Sequence, residues 1–204
     1  ERLLNGDGDF IWQTKLYGCN KARRSLFLGC LGEDWHQDVR LMERDALIIL
    51  ALIAGAAPCI APAQDQSVKP GINERYQDPK PSEFVERFER EGRDIYDFRE
   101  KIADACALGE GSDVADIGAG TGLFTRIFAA RVGPSGTVRA VDISDEFIDH
   151  IKNTSKAAGM TNVVATVCAP DDAGLPEASV DVAFLCDTYH HLEFPKRTLE
   201  SVWR

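Results

Sequence analysis

The chain has 204 residues, 44% of them hydrophobic and 27% charged, with a formal net charge of −10. This is enough apolar material for one globular domain with extensions, and it excludes a fibrous or broadly disordered chain. The acidic balance argues against a protein that grips phosphate backbones, which needs a basic face, so a small-molecule partner and no nucleic acid are expected.

Residues 1–41 show no sustained helical or strand period, and their charges cancel. They are expected to be an upstream extension, either a non-native stretch translated ahead of a true start at Met42 or a cytoplasmic tail. Residues 42–63 follow a different grammar. A Met and a short charged stretch precede a charge-free apolar run from Ala46, which ends in the small-x-small site Ala61-Pro62-Ala63. That pattern predicts a secretory signal peptide cut before Gln64, and hence export to a periplasmic or extracellular space. The run is also about long enough to cross a bilayer as an uncleaved anchor, but Pro58 and Pro62 make it a poor permanent span. Membrane contact is expected only through this segment. Cys59 follows Pro58 rather than a small residue, which discounts a lipoprotein site.

From Gln64 to Pro81 the composition is polar and punctuated by Pro and Gly, which predicts a linker or N-terminal arm. Ser82 is placed to cap a helix in which Phe84, Val85, Phe88, Ile95, Phe98, Ile102 and Ala105 recur at helical intervals, with Gly92 a weak point. Its dense charge, "ERFEREGRD", has two readings: a solvated face with i,i+4 pairs, or a lid over a ligand.

Beyond Glu110, strand and helix alternate. Residues 113–117, 137–143, 162–168 and 180–186 are β-rich apolar runs, while 121–132 and 145–159 have helical periodicity. The alternation implies βαβ units with right-handed crossovers and a parallel sheet, that is, a doubly wound α/β domain. Between the first strand and its helix stands "DIGAGTG". Three glycines there place bare backbone at a helix N-terminus, where a ligand can approach without meeting a Cβ. The dinucleotide spacing G-x-G-x-x-G is missed, because its third glycine would fall at Leu123. Asp116 beside the turn suits a cationic ligand better than a pyrophosphate.

"VADIGAGTG" resembles motif I of the class I S-adenosylmethionine-dependent methyltransferases, a Rossmann-like family, and the similarity extends over roughly residues 82–204. The resemblance implies S-adenosyl-L-methionine as cofactor. Gly118, Gly120 and Gly122, with Asp116, would hold its methionine part. Asp142 at the end of the second strand would take the ribose hydroxyls, Ile143 would lie beside the adenine, and Asp171 or Asp172 would face the adenine amino group. "CDTYHHL" occupies the position that faces the transferable methyl. Each Asp after a strand also has a simpler reading as a helix cap; the order of the four features at carboxyl strand ends carries the inference.

Methyl transfer is an in-line displacement that needs alignment and, for some acceptors, removal of a proton. His190 or His191 is the candidate base, with Asp187, also a candidate cofactor contact, or Tyr189 orienting it or the substrate. Metal binding by the paired histidines and plain packing of one of them are the competing roles; no metal is expected. The methyl acceptor, small molecule or protein, is open, and the competing function is a non-catalytic exported cofactor-binding module. A nucleotide-dependent oxidoreductase ranks behind both. Family domains carry seven strands, so the sheet is expected to be truncated after the fourth, leaving "VDVAFL" as an unpaired edge. Cys106, Cys168 and Cys186 follow no metal or disulfide spacing and are expected to be free thiols.

Overall fold

The computed structural model describes residues 64–204 together with three upstream strands, β1 (Arg2–Leu4), β2 (Phe10–Lys15) and β3 (Ser25–Gly29). The expected signal segment, 42–63, lies outside the described residues, as do the remaining positions of 1–41.

The centre of the fold is a four-stranded, all-parallel sheet of β4 (Asp113–Ile117), β5 (Thr137–Asp142), β6 (Val163–Val167) and β7 (Val182–Cys186), in the order β7-β4-β5-β6. Four consecutive residues of β4 and of β7 are buried, as apolar strands covered on both faces must be. One face carries Phe124, Phe128 and Val132 against Val114, Val138 and Phe184, with the Phe128 and Phe184 rings edge to face at 4.9 Å. The other packs Ala115, Ile117, Val141, Ala183 and Leu185 with Ala173. The Rossmann-like, doubly wound α/β class read from the sequence therefore holds. The chain runs outward from β4 to β5 and β6, then returns to the far side of β4 as β7. That reversal puts a crevice at the carboxyl ends of β4 and β7, the usual ligand position in such sheets.

The sheet does not stop at β7. Strand β3 pairs parallel to it, from Ser25 opposite Val182 to Gly29 opposite Cys186, and β2 and β1 continue antiparallel beyond. The expected truncation at a bare β7 edge is thus corrected: upstream chain occupies that edge. Removing residues 1–63 would uncover it, and an uncovered apolar edge templates association. A chain beginning at Gln64 is expected to elute from size-exclusion chromatography as larger species than the full chain; identical monomeric profiles would show that β3 contributes nothing to solubility.

The single helix expected from Ser82 is three: α1 (Pro81–Phe88), α2 (Asp94–Asp97) and α3 (Arg99–Ala105). Pro81 starts α1 and Lys80 precedes it, so Ser82 does not cap. The break falls around Gly92, whose φ of 82° is left-handed and whose N–H donates to Asp97 Oδ2 (3.0 Å). Helices α4 (Leu123–Val132) and α5 (Asp145–Ala157) cross between strands as read, and α6 (Pro195–Val202) follows β7. The polar arm before α1 is not a free linker. Val68 N–H donates to Glu193 O (2.9 Å), Asn73 Nδ2 to His191 O (2.9 Å), and Lys196 N–H to Gln64 Oε1 (3.1 Å), which lays the arm along the segment after β7.

Cys106, Cys168 and Cys186 are free, and burial pushes the Cys106 and Cys168 thiols up to about 12. Cys186 ends β7 and Cys168 follows β6, with β4 and β5 between them, beyond the roughly 7 Å reach of a disulfide.

Candidate active site

A cavity of about 670 Å³ opens at the crevice between the ends of β4 and β7. Its inner wall is the turn after β4. Gly118 N–H and Ala119 N–H both donate to Val141 O (2.8 and 3.1 Å), tying the turn to β5, and all three glycines have positive φ. Their roles differ. A Cβ on Gly118 would overlap Thr188, and one on Gly122 would come within 2.8 Å of Ile151 Cγ1; these two are small for packing. A Cβ on Gly120 would meet nothing within 4 Å, so its bareness faces open cavity. Gly118 and Gly120 line the cavity, whereas Gly122 does not and instead precedes α4.

Substitution separates these roles. Gly118→Ala is expected to cost about 2 kcal/mol or more of stability, from the left-handed backbone plus the overlap with Thr188. Gly120→Ala carries only the backbone cost, roughly 1–2 kcal/mol, but places a methyl in the cradle. Thermal melts with ligand titrations check this; a Gly120→Ala protein binding ligand like the wild type would mean that the turn is not the binding surface.

Two buried carboxylates flank the turn. Asp116, only 3% exposed, accepts from Thr125 Oγ1 (2.6 Å) on α4. Burial pushes its carboxyl up to about 6, against the Thr125 hydrogen bond, with the Asp142 charge adding to the rise. Asp142 accepts from Gly120 N–H (2.9 Å) through Oδ2 and from Ser144 N–H (3.0 Å) through Oδ1. Burial raises its pKa also, opposed by those backbone N–H groups. The helix-cap reading fails for Asp142, because Ser144 caps α5 by accepting from Phe147 N–H (3.3 Å). Asp142 instead joins the glycine turn to the end of β5 with its side chain on the cavity, and Ile143 lines the cavity beside it. Two acids facing one concavity favour a cationic ligand.

The loop after β6 departs from expectation. Asp171 and Asp172 do not line the cavity: Asp171 pairs with Arg197 (2.7 Å) and Asp172 with Arg204 (2.5 Å), both cations supplied by the end of the chain. Cys168, Ala169, Pro170 and Ala173 form that wall instead.

After β7, Asp187 has φ 55°, unusual for a residue with a Cβ, and its Oδ2 pairs with Arg93 Nη2 (2.7 Å). Strain of this kind concentrates at functional sites. His190 and His191 line the cavity with ring centroids 4.2 Å apart; Tyr189 does not line it. His190 Nδ1 is 3.9 Å from Asp187 Oδ1, too far for a hydrogen bond. His191 packs edge-on against Tyr76 (5.0 Å), and its Nδ1 is buried without a hydrogen-bond partner. Burial, then the His190 charge, holds its pKa below the usual imidazole range, so it is neutral at physiological pH. The outer wall is Asn73, Arg75 and Tyr76 from the arm, which the sequence reading missed, and Arg87, Phe88, Arg90 and Arg93 from α1 and the turn after it, the segment whose lid reading places it at the ligand. The spacing of three in Arg87, Arg90 and Arg93 was the available signal.

Residues 114–204 match a family model described as a methyltransferase domain. Over 122 residues the chain is 34% identical to the ribosomal RNA large subunit methyltransferase E of Haloquadratum walsbyi, an alignment covering 50% of this chain and 47% of that protein. The chain thus spans about half the length of that curated relative. Among solved structures, it is similar to a SAM-dependent methyltransferase from Aquifex aeolicus, with 27% identity, a TM-score of 0.54 and coverage of 62% of this chain and 67% of the other. A methyltransferase in complex with the Haloferax volcanii Trm112 activator shares the fold at 20% identity and a TM-score of 0.50, with 68% and 56% covered.

Proposed function

We propose that this chain, whose residues 114–204 form a class I methyltransferase domain, binds S-adenosyl-L-methionine in the crevice and catalyses methyl transfer to a small-molecule or protein acceptor. The observation that carries the reading is the pairing of Gly120, open to the cavity, with Asp142, which accepts its N–H across the floor of the same cavity. The cofactor would supply an electrophilic methyl on a sulfonium. Asp116 and Asp142 offer charge complementary to it, and Asp142 retains acceptor capacity for two hydroxyls. Ile143, Cys168 and Pro170 supply an apolar wall for a flat ring.

His191, neutral and lining the cavity, is the first candidate base for an acceptor that must lose a proton. His190 is the second candidate. Asp187 is a positioning residue: it holds Arg93 and so fixes the turn after α1 against the histidine segment. Asp171, Asp172 and Tyr189 stand outside the cavity and take no role in this mechanism. The named action of the H. walsbyi relative on ribosomal RNA favours a nucleic-acid acceptor as a second reading; the net charge of −10 opposes it. Export through residues 42–63 with a mature start at Gln64 is a separate proposal, which requires the mature protein to do without β3 at the β7 edge; N-terminal sequencing of native material decides it.

Calorimetric titration of the full chain with S-adenosylmethionine and, separately, NAD tests the cofactor. Saturable binding of the first and none of the second is expected; the reverse would assign an oxidoreductase, and heat from neither would sink the proposal.

A further inference from the structure

The rim of the cavity carries Arg75, Arg87, Arg90 and Arg93 and neither lysine nor glutamate, in a chain of net charge −10. Arg93 is engaged with Asp187 and with Phe88 O (3.2 Å). The other three are exposed, and no described carboxylate lies within ion-pair distance of them. The acids interleaved with them in sequence are turned elsewhere. Glu83 pairs with Lys80 (3.2 Å), Glu89 with Arg126 (2.6 Å), and none of Glu83, Glu86, Glu89 and Glu91 lines the cavity. A segment of nearly balanced charge therefore presents arginines, and none of its glutamates, to the cavity. Tyr76 and Phe88 stand among them, with the Arg75 guanidinium 5.7 Å from the Tyr76 ring centre and Arg87 5.9 Å from that of Phe88. Cations seated beside half-buried rings that line the cavity suit a ligand with an apolar body and a negatively charged end.

We propose that Arg75, Arg87 and Arg90 hold an anionic group, a carboxylate or a phosphate monoester, of a small methyl acceptor whose apolar body packs on Tyr76 and Phe88. This rests on the methyltransferase reading for the word acceptor, while the anion site stands on the rim itself. The carboxylate of the cofactor is the other possible source of negative charge. One carboxylate is satisfied by a single bidentate arginine, so even with the cofactor held by one of the three, two would remain for the anionic group of the acceptor.

The test uses the full chain, with and without saturating S-adenosylhomocysteine, titrated with phenyl phosphate, benzoate, neutral benzamide and a short ribo-oligonucleotide. At least one of the two small anions is expected to bind ten times tighter than benzamide or better, and the tighter of the two identifies the group. Arg87→Gln with Arg90→Gln is expected to weaken that binding about tenfold or more, each lost charge-assisted contact being of the order that gives such a factor. Arg87→Lys with Arg90→Lys should restore part of it, and Lys101→Gln, outside the cavity, should change nothing. Both arginines are exposed, so the variants should melt like the wild type.

Equal binding of benzamide, or anion binding untouched in the glutamine variant, overturns the proposal. So does a loss confined to S-adenosylhomocysteine affinity, which assigns the arginines to the cofactor, or an oligonucleotide that outcompetes the small anions. Anion discrimination that persists where S-adenosylhomocysteine does not bind at all would uphold the anion site and sink the cofactor reading alone.

Discussion

Replacing Asp142 by Ala is expected to weaken S-adenosylmethionine binding by roughly 10- to 100-fold, from charge-assisted hydrogen bonds on the order of 1.5–3 kcal/mol. The carboxylate does two things that Ala cannot. It presents acceptor oxygens to a ligand in the cavity, and it takes the Gly120 N–H (2.9 Å) and Ser144 N–H (3.0 Å), holding the turn after β4 to the start of α5. The second role means that Ala also loosens the turn, so Asp142→Asn is the companion variant: its carbonyl can still accept one N–H but offers no charge. Both should lose affinity, Ala more. Isothermal calorimetry on variants that melt cooperatively checks this, and affinity unchanged in both would remove Asp142 from the site.

The second large effect concerns Asp116 and pH. Its folded pKa of about 6 lies above the ordinary 3.8, because burial disfavours the charged form. The folded state therefore binds more protons than the unfolded state between those values, and stability falls as pH rises through that window. Integrated over the window this is roughly 3 kcal/mol, fully present as a cost at pH 7. Asp116→Asn keeps an acceptor for Thr125 Oγ1 without the charge. It is expected to be the more stable protein at pH 7, by up to about that amount, and to match the wild type near pH 4. Cofactor affinity should move oppositely. In the wild type it should rise from pH 5 to pH 7 as the carboxylate ionises to meet a cation, whereas the Asn variant should bind weakly and flatly across the same range. Chemical denaturation at several pH values, paired with titrations, would show both trends; an Asn variant that is less stable at pH 7 would mean that the ionised carboxylate is structurally required.

A buried carboxylate lining a ligand cavity is the kind of group that functional sites retain. This also explains why the inner half of the site was legible from sequence. The glycine turn, Asp116, Asp142 and Ile143 belong to a strand–turn–helix unit whose geometry is fixed by neighbours within a few residues, so spacing alone places them. The misplaced residues depend on distant partners. Asp171 and Asp172 are drawn from the cavity by Arg197 and Arg204, some 26 and 32 positions later, and nothing local to "APDDAG" announces that. The arm before α1 is polar and Pro/Gly-rich, as a linker is, and becomes a wall only through bonds to Glu193 and His191 more than a hundred residues away. Helical periodicity over 82–105 is real, but the left-handed Gly92 turns it into three pieces and brings Arg93 to Asp187. The β7 edge was misjudged because residues 25–29 carry too short an apolar run to be told from loop by pattern.

The central claim, that the glycine turn and Asp142 form the floor of an S-adenosylmethionine site, is tested most directly by amide chemical-shift mapping of the full chain during titration with S-adenosylhomocysteine. The largest saturable shifts are expected at Gly118, Gly120, Asp142, Ile143 and Ala169, with smaller ones along the arm at Asn73 and Tyr76. Saturable shifts that leave the amides of residues 118–120 and 142–143 unmoved, or no shifts at all, would contradict it.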